Sequence, residues 1–115
     1  MIAVVWQFDV KPERRDEFER FYGADGDWTM LSRKSRSFLG SSFLREFTAE
    51  PRYLLIEYWS EMLPYERHRV DLQDEIDALE RSRQEMTLAV TPLGVFYGLD
   101  VPDRFGPTWS QRDGR

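Results

Sequence analysis

Apolar residues alternate from the first positions of the chain. Ile2, Val4, Trp6, Phe8 and Val10 alternate with Ala3, Val5, Gln7 and Asp9, the period of a β-strand with one strongly apolar face and one mixed face. Lys11-Pro12 ends this strand. Proline suits a first helical turn, and Glu13, Asp16 and Glu17 suit its positive end. Phe18, Phe21 and Tyr22 then recur at i, i+3 and i+4, one face of a helix. Gly23 and Gly26 interrupt it, and a second helical piece over about 27–34 carries Trp28 and Leu31. Residues 38–48 read as a second strand, with Phe38, Leu44 and Ser42 on one face and Leu39, Phe43 and Phe47 on the other. A short turn, 49–52, leads to a third strand over 53–59 that is apolar on both faces except for Glu57. So short a connection implies an antiparallel hairpin. Ser60 and Pro64 bracket the entry to one long helix running to about 85, whose buried face is Tyr65, His68, Leu72, Ile76 and Leu79. The last strand spans 88–99, where Pro92 and Gly94 predict an edge position or a bulge.

The order βαββαβ, joined by right-handed crossovers, gives an α+β fold: a ferredoxin-like split βαβ with a four-stranded antiparallel sheet and its helices on one face. The second and third strands are apolar on both sides, so the other sheet face cannot stay bare. A second copy of the chain is the simplest cover, which predicts a homodimer through the sheet face, a dimeric α/β barrel. This domain is expected over 1–99. From Asp100 onward Asp, Pro, Gly and Arg dominate, so 100–115 reads as a C-terminal tail, either mobile or an arm onto the partner, unless Phe105 or Trp109 docks it.

Composition narrows the function classes. With 115 residues the chain is one domain. Its 15% aromatic residues exceed what a minimal core needs and suit a cavity lining or a subunit interface. A net charge of −5 argues against nucleic acid and against anionic membrane surfaces. The absence of cysteine excludes disulfides, thiolate catalysis and cysteine-bound metal, and a single histidine leaves only carboxylates for a metal, so none is expected. No apolar run is long enough to span a membrane. A strand pattern directly after Met1 predicts no secretory signal and a cytoplasmic address.

Several segments resemble one family. Val4-Val5-Trp6-Gln7-Phe8-Asp9-Val10-Lys11-Pro12-Glu13, Phe18-Glu19-Arg20-Phe21-Tyr22-Gly23 with Gly26-Asp27-Trp28, Arg52-Tyr53-Leu54-Leu55-Ile56-Glu57-Tyr58-Trp59-Ser60-Glu61 and Pro92-Leu93-Gly94-Val95-Phe96 are similar to the antibiotic biosynthesis monooxygenase-like domains of the dimeric α/β barrel superfamily. The likeness covers roughly 2–98 and is a diffuse pattern of core and turn residues, which speaks to fold more than to reaction. It implies a cavity between sheet and helices. It also implies a cofactor-independent oxygenase acting on an aromatic or phenolic compound, a haem-degrading enzyme, or a protein of unknown activity; a non-catalytic protein that binds a small apolar or aromatic ligand in the same cavity is the alternative. The chain has no Asn, so the Asn–Trp–His set of the haem-degrading branch has no match, Gln7 being the nearest candidate on the first strand. His68 stands where such relatives tend to carry an aromatic residue.

On this resemblance His68 and Tyr22 are the candidate catalytic residues, and no cofactor is called for. His68, on the apolar stripe of the long helix, can serve as general base toward a phenolic or enolic proton, since oxygenation without a cofactor needs an electron-rich substrate anion. Its plainer reading is a core-edge imidazole bonded to backbone. Tyr22 can donate a hydrogen bond to a substrate carbonyl. Trp6, Trp28, Trp59 and Tyr65 are the candidate substrate-binding residues, although large aromatics more often supply buried area than chemistry. Trp6 shares a face with Val4 and Phe8 and belongs on the helix side, leaving Gln7 toward the partner sheet. Glu57, if buried, needs a partner, and Arg45 is the expected one. Arg33, Lys34 and Arg36 can bind an anionic group, or form a solvated helix end. A dimeric scaffold whose aromatic residues fill the cavity stands as the structural alternative.

Overall fold

The computed structural model describes residues 1–99; the expected tail over 100–115 lies outside the described residues. The chain runs β1 (Ile2–Val10), a 3₁₀ turn (Pro12–Arg14), α1 (Arg15–Tyr22), α2 (Asp27–Ser32), β2 (Phe38–Arg45), β3 (Arg52–Trp59), α3 (Met62–Asp71), α4 (Gln73–Met86) and β4 (Thr87–Tyr97). The strands form one sheet in the order β2-β3-β1-β4, every neighbouring pair antiparallel. This is the ferredoxin-like α+β arrangement that the element order predicts.

β1 buries Ile2, Val4, Phe8 and Val10, and β3 buries Tyr53, Leu55, Glu57 and Trp59, so both turn the same alternating face to the helices. Phe18, Phe21 and Tyr22 of α1 join Phe8, Tyr53 and Phe43 in a set of tilted, edge-on and stacked rings with centroids 4.8–5.9 Å apart. A smaller cluster of Ile2, Val4, Trp59 and Tyr65 closes the other end, with Phe38 against it. On the opposite face Leu54, Ile56 and Tyr58 alternate with the buried set, beside Val5 and Gln7 of β1. No described helix lies on that side, and none of the described helices is long and apolar enough to cross a membrane.

Three details differ from the sequence reading. β2 has its faces reassigned: Phe38 packs on Trp59 and Phe43 on Phe18 and Tyr53, so both face the helices, whereas Leu39 and Leu44 are exposed and Phe47 lies past the strand, fully exposed. The cause is a bulge between Phe38 and Gly40, where Gly40 takes φ +122°; one extra residue inverts the alternation on either side of it. The long helix is two helices, because Leu72 leaves helical geometry at φ −112° and ψ 28°. Leu72 N–H still donates to the His68 carbonyl, and Ile76 N–H to the Leu72 carbonyl, so the buried stripe passes through the break. Asp74 and Glu75 suit the positive end of the restarted helix. The first helix begins as a 3₁₀ turn at Pro12.

β4 is an edge strand, where the missing N–H of Pro92 is tolerated, and its register slips between the partners of Val5 and Trp6, beside Gly94. Gly26 is required by space. A Cβ there would stand 2.2 Å from the carbonyl oxygens of both Arg20 and Phe21. That close approach of α2 to the end of α1 sets Trp28 over the sheet.

Candidate active site

Glu57 is the centre of the interior. Strand alternation turns its carboxylate toward the helices, where it is 3% exposed. Its partner is not Arg45, which lies on the surface and pairs with Glu19 at 3.3 Å. Instead the Trp28 indole N–H, presented by α2, donates to Glu57 Oε2 at 2.8 Å, and Ser32, one turn later, lies beside the same carboxyl. Burial pushes the Glu57 carboxyl above the ordinary carboxylate range; the Trp28 bond, the charge of Arg69 and the Ser32 bond pull the other way with less effect. The result is a carboxyl group that gives up its proton at a higher pH than a free one.

Around Glu57 the helices place Trp28, Leu31 and Ser32 from α2, Tyr65, His68 and Arg69 from α3 and Ile76 from α4, with Trp59 from the end of β3. These side chains leave a void of only about 10 Å³, near the minimum that holds one water. Trp59 borders this void, and its indole N–H has no hydrogen-bond acceptor among the described residues. Tyr65 is raised in pKa by burial, against the lowering influence of Arg69. Arg69 is itself held by Glu80 at 3.2 Å.

His68 is 8% exposed, and its ring lies 5.0 Å from that of Trp59. It also lines a second space, an outer groove of about 400 Å³ formed by Lys34, Ser35, Ser37, Pro64, Arg67, Asp71 and Leu72. The imidazole therefore forms part of the wall of both spaces. Burial lowers its pKa, the neighbouring Arg69 lowers it further and Asp71 opposes them, so the neutral base is favoured at neutral pH. Of the basic cluster after α2, Lys34 reaches this groove.

The candidate residues thus divide into two groups. His68, Trp28, Trp59 and Tyr65 meet around Glu57. Tyr22 and Trp6 stand elsewhere. Tyr22 is buried in the aromatic core, where its hydroxyl accepts a hydrogen bond from Arg83 Nη1 at 3.2 Å, and burial holds its pKa far above the usual phenol value. Trp6 does face the helices, stacked on Phe8 at 6.5 Å, beside Arg83 rather than Glu57. Arg83 had no signal in the sequence: it sits on the helix among Glu80, Arg81 and Gln84 and reads as solvated surface. Glu57 did carry one, as the lone acid in an otherwise apolar strand.

No family model and no curated protein matches the chain. Solved structures do. SnoaB from Streptomyces nogalater, a cofactor-independent oxygenase, superposes with a TM-score of 0.67 at 14% identity, over 89% of this chain and 96% of that one. A "putative antibiotic biosynthesis monooxygenase" from Nitrosomonas europaea gives 0.65 at 12% identity, over 87% and 100%. A protein of the same description from Deinococcus radiodurans gives 0.61 at 12% identity, over 92% and 100%. At these identities the likeness is one of architecture, and by its sheet order and helix placement the chain has the ferredoxin-like fold of the antibiotic biosynthesis monooxygenase-like proteins.

Proposed function

We propose that the chain is a cofactor-independent, monooxygenase-like enzyme acting on an aromatic compound with an ionisable phenol or enol. The observation that carries this reading is the place of His68, a neutral imidazole between an open groove large enough for a ring system and a small interior void beside a buried carboxyl. The substrate lies in the outer groove, where Lys34 and Arg67 favour the anion that forms. His68 takes the proton, and the electron-rich ring can then reduce dioxygen. For a ring methylene the balance is R₂CH₂ + O₂ → R₂C=O + H₂O: one oxygen atom stays on carbon, the other leaves as water, and the substrate supplies all four electrons. Glu57, with Trp28 and Trp59, forms the interior compartment, and its carboxyl, raised in pKa by burial, is suited to hydrogen-bond a reduced oxygen species. Tyr22 has no part, its hydroxyl being engaged by Arg83.

The apolar outer face of the sheet supports a homodimer in this reading, since Leu54, Ile56 and Val5 lie together there. A second reading, a dimeric scaffold without catalysis, is favoured by the size of the interior void. Oxygen uptake by the purified protein with anthrone and a panel of phenols decides between them. The enzyme reading expects uptake that falls about 100-fold or more in His68→Phe, the size of a general-base contribution. Equal rates with wild type, His68→Phe and no protein leave the scaffold.

A further inference from the structure

A second polar arrangement also reaches Trp28. Arg83 of α4 is 9% exposed, and its guanidinium carbon stands 5.7 Å from the ring centroid of Trp6, 5.6 Å from Phe8 and 6.0 Å from Trp28. One end of the guanidinium is fixed by the bond from Nη1 to the Tyr22 hydroxyl, and the same nitrogen lies 4.0 Å from Glu80. The other side is unmatched. Arg83 Nε and Trp6 Nε1 are both buried N–H donors, and neither has an acceptor among the described residues. Buried donors are normally satisfied, and two belonging to side chains in mutual contact call for one acceptor.

Arg83 also lines a groove of about 350 Å³ between α4 and β4, with Asp77, Glu80, Arg81, Gln84 and Val90. Glu80 pairs with Arg69 at 3.2 Å and stands 4.0 Å from Arg83, and Asp77 is the other acid of the groove. We propose that Trp6 Nε1 and Arg83 Nε form a binding site for one oxyanion, a carboxylate or phenolate carried on a planar ring that enters by the α4–β4 groove. Charge-assisted bonds from a guanidinium and an indole N–H hold the oxygen, while the ring that carries it rests in the groove against Val90. This site is separate from the His68 groove and does not depend on the reading of that groove.

Salicylate and its neutral amide, salicylamide, test the proposal on the full chain. The ¹⁵N-labelled protein has four indole N–H groups, one per tryptophan, and Trp6→Phe identifies its own signal by loss. Titration with salicylate is expected to shift the Trp6 indole and the Arg83 Nε signals together. Trp6→Phe, which keeps a ring, and Arg83→Lys, which keeps the charge but loses Nε, are each expected to weaken salicylate about tenfold or more, and salicylamide to bind wild type about tenfold more weakly. Thermal melts of both variants confirm that they fold, and if Arg83→Lys does not, Trp6→Phe alone decides. A Trp6 indole unmoved at 20 mM salicylate, or a dissociation constant unchanged in Trp6→Phe, overturns the proposal. Glu57→Gln and His68→Phe serve to separate the two claims: they are expected to alter oxygen uptake and leave the salicylate affinity as it is.

Discussion

Replacing Trp28 by Phe removes one hydrogen-bond donor from the interior and leaves most of the ring. The structure separates the consequences. Trp28 is buried, and its indole N–H donates to Glu57 at 2.8 Å, so the substitution leaves a buried carboxyl short of a partner. A hydrogen bond contributes about 1 kcal/mol to a neutral group and about 1.5–3 kcal/mol to a charged one, and the smaller ring adds roughly 1 kcal/mol of lost packing. Trp28→Phe should therefore cost about 2–4 kcal/mol in urea unfolding. In a Glu57→Leu background the bond is already gone and only the packing cost persists. The double-mutant cycle should give a coupling of about 1–3 kcal/mol. The sign of its pH dependence follows from Glu57. Its folded pKa is raised above 4.5, so the native state binds more protons than the unfolded state, and stability is lost as pH rises from 4.5 through the folded value. The Trp28 bond offsets part of that loss by favouring the charged form, so the coupling should grow with pH across the same window. A coupling below about 0.5 kcal/mol at every pH from 4 to 8 would falsify the account of Glu57 as a carboxyl held by Trp28.

Other perturbations test the remaining parts. Gly26→Ala places a Cβ 2.2 Å from two backbone carbonyl oxygens, which no side-chain movement relieves, and should cost more than about 3 kcal/mol by urea melt. His68 has a folded pKa below 6.5, so its penalty is absent above 6.5, appears as pH falls below it and is complete below the folded value. Melting temperature followed from pH 8 to 5 should show this acid-side loss in wild type and a reduced one in His68→Phe; parallel curves would refute it. Ile56→Lys puts a charge at the middle of the bare sheet face, opposite Val5 and Ser42, and should turn a dimer into a folded monomer in sedimentation equilibrium. An unchanged mass, or a monomeric wild type, would refute pairing through this face.

Much of the fold was legible because two periods carry it. The alternation in β1 and β3 names their buried faces, and the triplet Phe18, Phe21 and Tyr22 names that of α1. The misread places share a cause: an insertion in the backbone that the period alone does not register. At Gly40 the chain spends one extra residue and the pattern continues inverted, so strict alternation assigns Phe43 to the wrong side. The same device at Pro92 and Gly94 was visible because proline in a strand has few explanations. At Leu72 there was no signal. Neither Gly nor Pro marks the break, and the apolar spacing runs straight through it.

The candidate site was legible only as far as orientation goes. Alternation places Glu57 inside, and the stripe of α3 places His68 and Tyr65 over it. Partnership is another matter, because it depends on which helix crosses which strand. Arg45 lies on β2, next to β3, yet Glu57 and Arg45 point to different surroundings; Trp28 comes from α2, brought near by the turn that Gly26 permits. Arg83 shows the limit more sharply. A long side chain on an amphipathic helix can run its stem inward and bury its head if aromatic faces and one hydroxyl await it. Trp6, Phe8 and Tyr22 provide those from β1 and α1, about sixty or more positions earlier in the chain. No local pattern in α4 can announce them. The interior therefore holds two polar centres that both touch Trp28, one a carboxyl whose pKa burial raises and one cationic with a donor to spare. They differ in what they can bind, so a ligand that engages one need not perturb the other.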